Sequence, residues 1–261
     1  LKLFDKTRGV KLIKNFQEAI RNGISGVYRD AKLYGSDWNF DLKNINNKEL
    51  SFESLKMIIE EAGKFACDEL DSINQVGDQE GFKLENGVVR MPESFIKAYQ
   101  KFVNTGWFSI IGEKKYGGQD LPLSAVVMIN EIWHSTNMSF ATNNMLTQGA
   151  VELLESHGNE KQKEYYLPNL ISGKWSGTMN LTEPHAGSDL SSIKTKAIEK
   201  DKKFLIKGTK IYITHGDQDM SDNIIHLVLA KLPDAPEGVR GISLFLVPKY
   251  YLNDKGTTVK N

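Results

Sequence analysis

One cysteine, Cys67, stands in 261 residues. That excludes a disulfide framework and a cysteine-based zinc site. It also favours a reducing, cytoplasmic compartment over a secreted one. Arginine is scarce, five against 28 lysines, so planar bidentate recognition has few providers. Net charge is absent, with 33 basic side chains balancing 33 acidic ones. A nucleic-acid binder that works through a broad basic field is therefore not expected. The longest apolar runs reach only four or five residues, such as Val126–Ile129. A bilayer-spanning helix needs roughly 18, so no membrane span is expected. Leu1-Lys2-Leu3 carries no signal-peptide pattern. The chain does not open on methionine, and Asp254–Asn261 is turn-like; the expectation is an internal piece of a longer protein.

What is present is an ordinary globular composition, 40% apolar and 25% charged, enough for one large domain or two small ones. Up to about residue 174 the apolar spacing is helical. Lys11–Asn22 places Leu12, Ile13, Phe16 and Ile20 on one face and stops at Gly23. Residues 52 to 73 form a second stripe through Phe52, Leu55, Ile58, Ile59, Ala62, Phe65, Ala66 and Leu70, with Ser51 as N-cap. Cys67 is read as inert core on that stripe. Pro92 and Pro122 each open a helix, and Gly106 closes the first. A further helix carries Leu146, Ala150, Leu153 and Leu154 to Gly158, and Asn159 with Gln162 makes a capping box for the next.

From about Trp175 the period becomes two. Strands are expected at Trp175–Leu181, at Ile193–Ala197, and at Phe204–Ile206 and Ile211–Ile213 flanking a turn at Lys207-Gly208-Thr209. Ile224–Leu232 and Ile242–Val247 are apolar enough for burial on both faces. Short, evenly spaced strands suggest a small barrel or sandwich.

The most informative segment is Met179–Asp189. A strand there runs into a loop rich in Pro and Gly that exposes backbone amides and the hydroxyls of Thr182 and Ser188. Such groups suit a heterocycle edge and a phosphate, although an ordinary turn between strands has the same composition.

Thr182-Glu183-Pro184-His185-Ala186-Gly187-Ser188-Asp189 resembles the signature loop of the acyl-CoA dehydrogenases, which are flavoenzymes. Tyr212-Ile213-Thr214 resembles that family's aromatic-Ile-Thr triplet. Leu167-Pro168 through Ser172-Gly173, and Tyr116-Gly117-Gly118, resemble further family segments in the same order. The resemblance spans about residues 50 to 250. Ile224–Ala230 and Gly241–Pro248 resemble a branch of larger members with an N-terminal extension, which includes straight-chain enzymes and one for 3-methylthiopropionyl-CoA.

The resemblance implies three parts: an N-terminal helical extension over 1–50, an all-α domain over 51–175, and a middle β-barrel from 176 to 261. A C-terminal helical domain would lie outside this chain. The implied reaction is α,β-dehydrogenation of an acyl-CoA to a trans-2-enoyl-CoA with FAD as cofactor. A glutamate takes the proton next to the thioester carbonyl and a hydride leaves the next carbon for flavin N5. That base is expected beyond Asn261, so no catalytic residue is named here and 1–261 alone is expected to be inactive. An electron-transfer flavoprotein would take the electrons, and the full-length protein would be a homo-oligomer. Met179 and Leu181 would meet the flavin's polar edge through their backbones, and the Thr182 hydroxyl its pyrimidine side. Gly187 would allow a close turn, and Ser188 would reach the diphosphate or the CoA. Tyr212, where the family usually has tryptophan, would lie against the ring with Ile213 beside it, and Thr214 near N5.

An acyl-CoA oxidase shares this fold and loop, and a flavin-free relative that only binds acyl-CoA is a third possibility. Glu183 and Asp189 are read as turn partners rather than an acid–base pair. The histidines show no metal spacing, and His185 receives no role. Met128, Met138 and Met145 follow helical core spacing.

Overall fold

A computed structural model describes residues 51–200, 203–252 and 258–260. The helix expected over Lys11–Asn22 and the extension 1–50 lie outside these. The chain divides into two compact units, one of residues up to Asn74 with Pro122–Met138, the other of Gln75–Leu121 with Ser139–Asn261.

The first unit is helical. Helix α1, Phe52–Phe65, starts at Ser51, whose hydroxyl accepts from Ser54 N at 3.1 Å. A π-helical turn, Ala66–Asp71, continues it into α2, Ser72–Glu80. Of the expected stripe, Leu55, Ile59, Ala62, Ala66 and Leu70 are buried and Ile58 and Phe65 half-buried; Ala125, Val126, Ile129 and Trp133 of α4, Leu123–Thr136, are buried as well. Phe65 meets Trp133 edge-on with centroids 5.8 Å apart, and Asn137 Nδ2 donates to Leu70 O at 3.1 Å. Cys67 is exposed, contrary to expectation. It follows Ala66 by about 100° around the helix, which carries it off the stripe.

The second unit opens with a hairpin that the expected all-α domain did not include: β1, Lys83–Glu85, pairs with β2, Val88–Arg90. Helix α3, Glu93–Asn104, buries Phe95, Tyr99 and Phe102, and Gly106 at φ 81° terminates it. The Tyr99 hydroxyl donates to Gly173 O at 2.8 Å. Helix α5, Met138–His157, and α6, Glu160–Ile171, follow, α6 with the expected Asn159–Gln162 capping box. Met138 and Met145 are exposed rather than core; the core stripe of α5 runs through Asn143, Thr147, Ala150 and Leu154 instead.

The strands make a mixed sheet, and among the described residues it does not close into the expected barrel. Its strands are β3, Trp175–Asn180; β4, Lys196–Lys200; β5, Lys203–Lys207; β6, Asn223–Lys231; and β7, Ile242–Pro248. β6 is central and almost wholly buried. β3 runs parallel to it from Trp175↔Asn223 to Asn180↔Val228, and β4 joins the same edge at Lys196↔Lys231. β7 pairs antiparallel along the other edge, while β5 pairs with β4. Phe204 of β5 and Phe245 of β7 do meet, with centroids 5.2 Å apart. The sheet thus curls, but β5 and β7 touch through side chains without a ladder between them, and a barrel requires the ladder.

Two further segments differ from expectation. Ile211–Ile213 is not a strand: Tyr212 sits at φ 56°, and the pairing of β4 with β5 leaves Lys207-Gly208-Thr209 as an exit rather than a hairpin tip. Thr258–Lys260, read as turn, forms β9 against β8, Tyr250–Leu252.

Candidate functional site

Because β3 leaves the edge of β6 before β4 joins it, the chain from Leu181 to Thr195 must loop out of the sheet. This loop is the signature segment, and a buried carboxylate braces it. Glu183 Oε1 accepts from Thr195 N at 3.0 Å, from Thr195 Oγ1 at 2.5 Å and from Lys210 Nζ at 2.8 Å, while Oε2 accepts from Lys194 N at 2.7 Å. Burial alone would raise its pKa, but these hydrogen bonds outweigh burial and hold the carboxyl at about 2. The reading of Glu183 as a turn partner agrees with this geometry. Asp189 likewise caps the short turn Leu190–Ser192 by accepting from Ser191 N at 2.9 Å.

Lys210 was not singled out from the sequence, yet it ties two segments together. Its side chain is 8% exposed, and its ammonium donates to Leu181 O at 2.9 Å as well as to Glu183. Ile211 N donates to Thr182 O at 3.0 Å. The Met179–Ser188 stretch and the Tyr212–Thr214 turn are therefore side by side, although 32 residues separate Thr182 from Thr214. Among the described residues, no hydrogen bond within the chain uses the hydroxyls of Thr182, Ser188 or Thr214. Ser188, Gly187 and Thr214 are exposed, and Met179, Leu181, Thr182 and Ile213 are half-buried. Tyr212 is 89% exposed.

A cavity of about 450 Å³ opens beside Ile213 and Thr214. Phe82, Val89, Met91 and Phe95 give it an apolar wall, and Ser139, Thr142 and His215 a polar one. His215 sits at φ 50° and its Nε2 donates to Ser139 O at 2.8 Å. Burial holds the imidazole pKa below its usual value, only partly offset by that bond, so the ring is neutral near pH 7. Asp219 and Asp217 fasten the hairpin wall: Asp219 Oδ1 accepts from Met91 N at 2.9 Å, and Asp217 Oδ2 from Val89 N at 3.4 Å. No cluster of His, Cys, Asp and Glu among the described residues could hold a metal ion.

Comparison with known proteins agrees with this arrangement. Residues 53–174 match the family model for the acyl-CoA dehydrogenase N-terminal domain, and residues 178–261 that for its middle domain. The chain is 46% identical over 211 residues to the 3-methylmercaptopropionyl-CoA dehydrogenase of Ruegeria pomeroyi, covering 80% of this chain and 36% of that one. It resembles the crystal structure of an acyl-CoA dehydrogenase from Geobacillus kaustophilus with a TM-score of 0.62 at 28% identity, over 77% of this chain and 49% of that one. The structure of PigA in complex with FAD aligns with a TM-score of 0.61 at 26% identity, over 78% and 49% respectively. The chain thus spans about a third of that curated relative and half of those solved chains. Two consecutive domain models in family order, covering nearly all the described residues, establish that this chain belongs to the acyl-CoA dehydrogenase family.

Proposed function

We propose that this chain is the flavin-holding and acyl-binding part of an FAD-dependent acyl-CoA dehydrogenase that forms trans-2-enoyl-CoA. The reading is supported by the tie between two segments that carry the hydroxyls of Thr182, Ser188 and Thr214, made by Ile211 N–Thr182 O and by Lys210. Those donors fit a flavin, which needs polar partners along one ring edge and at its phosphates. FAD, when bound, supplies the acceptor for the hydride lost from the acyl chain.

The chain's own share is binding and orientation. Thr182 and the backbone at Met179 and Leu181 hold the pyrimidine side. Gly187 allows a close turn, and Ser188 holds phosphate or CoA. Tyr212 and Ile213 cover the ring, and Thr214 stands by N5. We assign the cavity beside Thr214 to the apolar end of the acyl group, since Phe82, Val89, Met91 and Phe95 offer it one apolar wall and its volume falls within the range of small-ligand sites. The base is a glutamate supplied from outside residues 1–261. The protein works in the cytoplasm as a homo-oligomer and hands electrons to an electron-transfer flavoprotein.

In the full-length protein, purification should yield a bound flavin whose visible absorbance an acyl-CoA bleaches. Thr182→Val should weaken flavin retention by about 1 kcal/mol, roughly fivefold. A colourless protein with no acyl-CoA turnover after added FAD would overturn the reading.

A further inference from the structure

The β4–β5 hairpin turns one face to solvent. Its antiparallel register sets Lys196 opposite Lys207, Ile198 opposite Leu205, and Lys200 opposite Lys203. Strand alternation puts these six side chains on one face and fully buried Ala197 on the other, with Glu199 on the Ala197 side. Ile198 is 49% exposed, Leu205 56%, and all four lysines are exposed. An apolar pair thus sits between two pairs of cations. Among the described residues, none of the four lysines pairs with a carboxylate. Like charges directly opposite each other destabilise a strand pair, and in a chain of zero net charge this repulsion is local. Lysines do protect sheet edges, and β5 is an edge. Edge protection accounts neither for the two lysines of the inner strand β4 nor for an exposed Ile beside an exposed Leu. Lys203 Nζ also lies 5.6 Å from the ring centroid of Tyr251, so an exposed amphipathic aromatic adjoins the patch.

We infer that this face docks the protein on an anionic lipid surface. Ile198 and Leu205 enter the boundary between head groups and acyl chains, while the ammoniums, on flexible stems, meet lipid phosphates around them. Size favours lipid over a protein partner. The face is two strands wide, about 5 Å, and five residues long, about 13 Å. Even with the lysine stems extended, that falls short of the roughly 800 Å² per partner that a specific protein interface takes. A bilayer sets no such minimum, because its phosphates move to meet each cation. Lysine chemistry points the same way: an ammonium is a point charge without the planar fork that fixes a protein carboxylate. Docking of this kind needs neither a membrane span nor a bound flavin, and it would hold the enzyme at the inner surface of a membrane.

Flotation of the full-length protein with vesicles tests this, using pure phosphatidylcholine and phosphatidylcholine mixed with phosphatidylglycerol. Wild type should bind only the anionic vesicles, and added salt should release it. Lys196→Gln with Lys207→Gln should weaken binding on the order of 25-fold, about fivefold per lysine. Ile198→Thr with Leu205→Thr should also weaken it, and threonine keeps the strand propensity. Lys56→Gln with Lys64→Gln makes the same charge change on exposed positions of α1 and should bind as wild type does. Lys196→Arg with Lys207→Arg keeps the charge and should bind fully; loss there would mean that the Gln effect is structural and would overturn the docking. Equal loss in the α1 variant would overturn it too, because the attraction would then be diffuse. So would wild type that ignores anionic vesicles, even if polyglutamate captures it. A smaller oligomer by light scattering in Ile198→Thr with Leu205→Thr would show a second copy covering the face, and would likewise overturn the assignment to lipid.

Discussion

The side chain that organises the candidate site makes no claim to chemistry. Lys210 and Glu183 form a buried ion pair, 8% and 2% exposed, and removing one partner of such a pair leaves the other charge uncompensated. Lys210→Met should cost about 3–5 kcal/mol, measured by urea unfolding of the full-length protein at pH 7. Adding Glu183→Gln should recover part of that, because the stranded carboxylate is gone. The pH dependence has a defined sign. The carboxyl pKa is lowered from 4.5 to about 2 in the folded protein, so its stabilisation is intact above 4.5 and fades as pH falls through about 2. The gap between wild type and Lys210→Met should therefore be flat from pH 5 to 7, about neutral, and narrow in acid. Equal loss in single and double variants would show that the pair contributes nothing beyond packing. Lys210 was not legible as a site residue. A lysine after a Gly-Thr turn reads as surface, and only contacts distant in sequence bury it.

At the level of elements, local chemistry was readable and pairing was not. Ser51, Pro92, Pro122 and the Asn159–Gln162 box mark helix starts because capping is decided within four residues. The hairpin β1–β2 was equally available: Asn86 and Gly87 adopt φ 52° and 76°, the strongest short-range hairpin signal. The strand at Ile211–Ile213 failed because an apolar triplet says nothing of the left-handed Tyr212 at its centre. The barrel failed for a different reason, since closure depends on which distant edges meet and alternation is silent on that. The helix-to-sheet seam gives a prediction of its own. Gly177→Ala would place a methyl 2.5 Å from Ala150 Cβ and 3.4 Å from Thr147 Cα, neither of which can rotate away. Helix α5 must then lift from β3, at a cost of about 1–3 kcal/mol. Ala150→Gly in the same protein should restore part of the loss in a denaturation midpoint; no restoration would place the strain elsewhere.

For the molecule as a whole, the switch of period near Trp175 divided helical from sheet sequence except for the β1–β2 hairpin, and the family resemblance spanned most of the stretch that the two domain models match. What neither conveys is the order in which the sheet can be assembled. β6 and β7 are neighbours in sequence, and β4 and β5 closer still. β3, by contrast, reaches β6 only in parallel, across a span of 48 residues, as between Thr178 and His226. Hairpins close in about 1–10 μs, whereas long-range parallel pairing must first overcome the entropy of a large loop. Pulse-labelled hydrogen exchange during refolding should therefore find amides of Asn223–Lys231 and Ile242–Pro248 protected before those of Trp175–Asn180; the reverse order would refute this. On a ribosome the same register means that Met179–Ser188 leaves the exit tunnel well before the strand that will fix it. The segment proposed to hold the cofactor would be synthesised early and set late, so cofactor capture would fall among the last steps of maturation rather than the first.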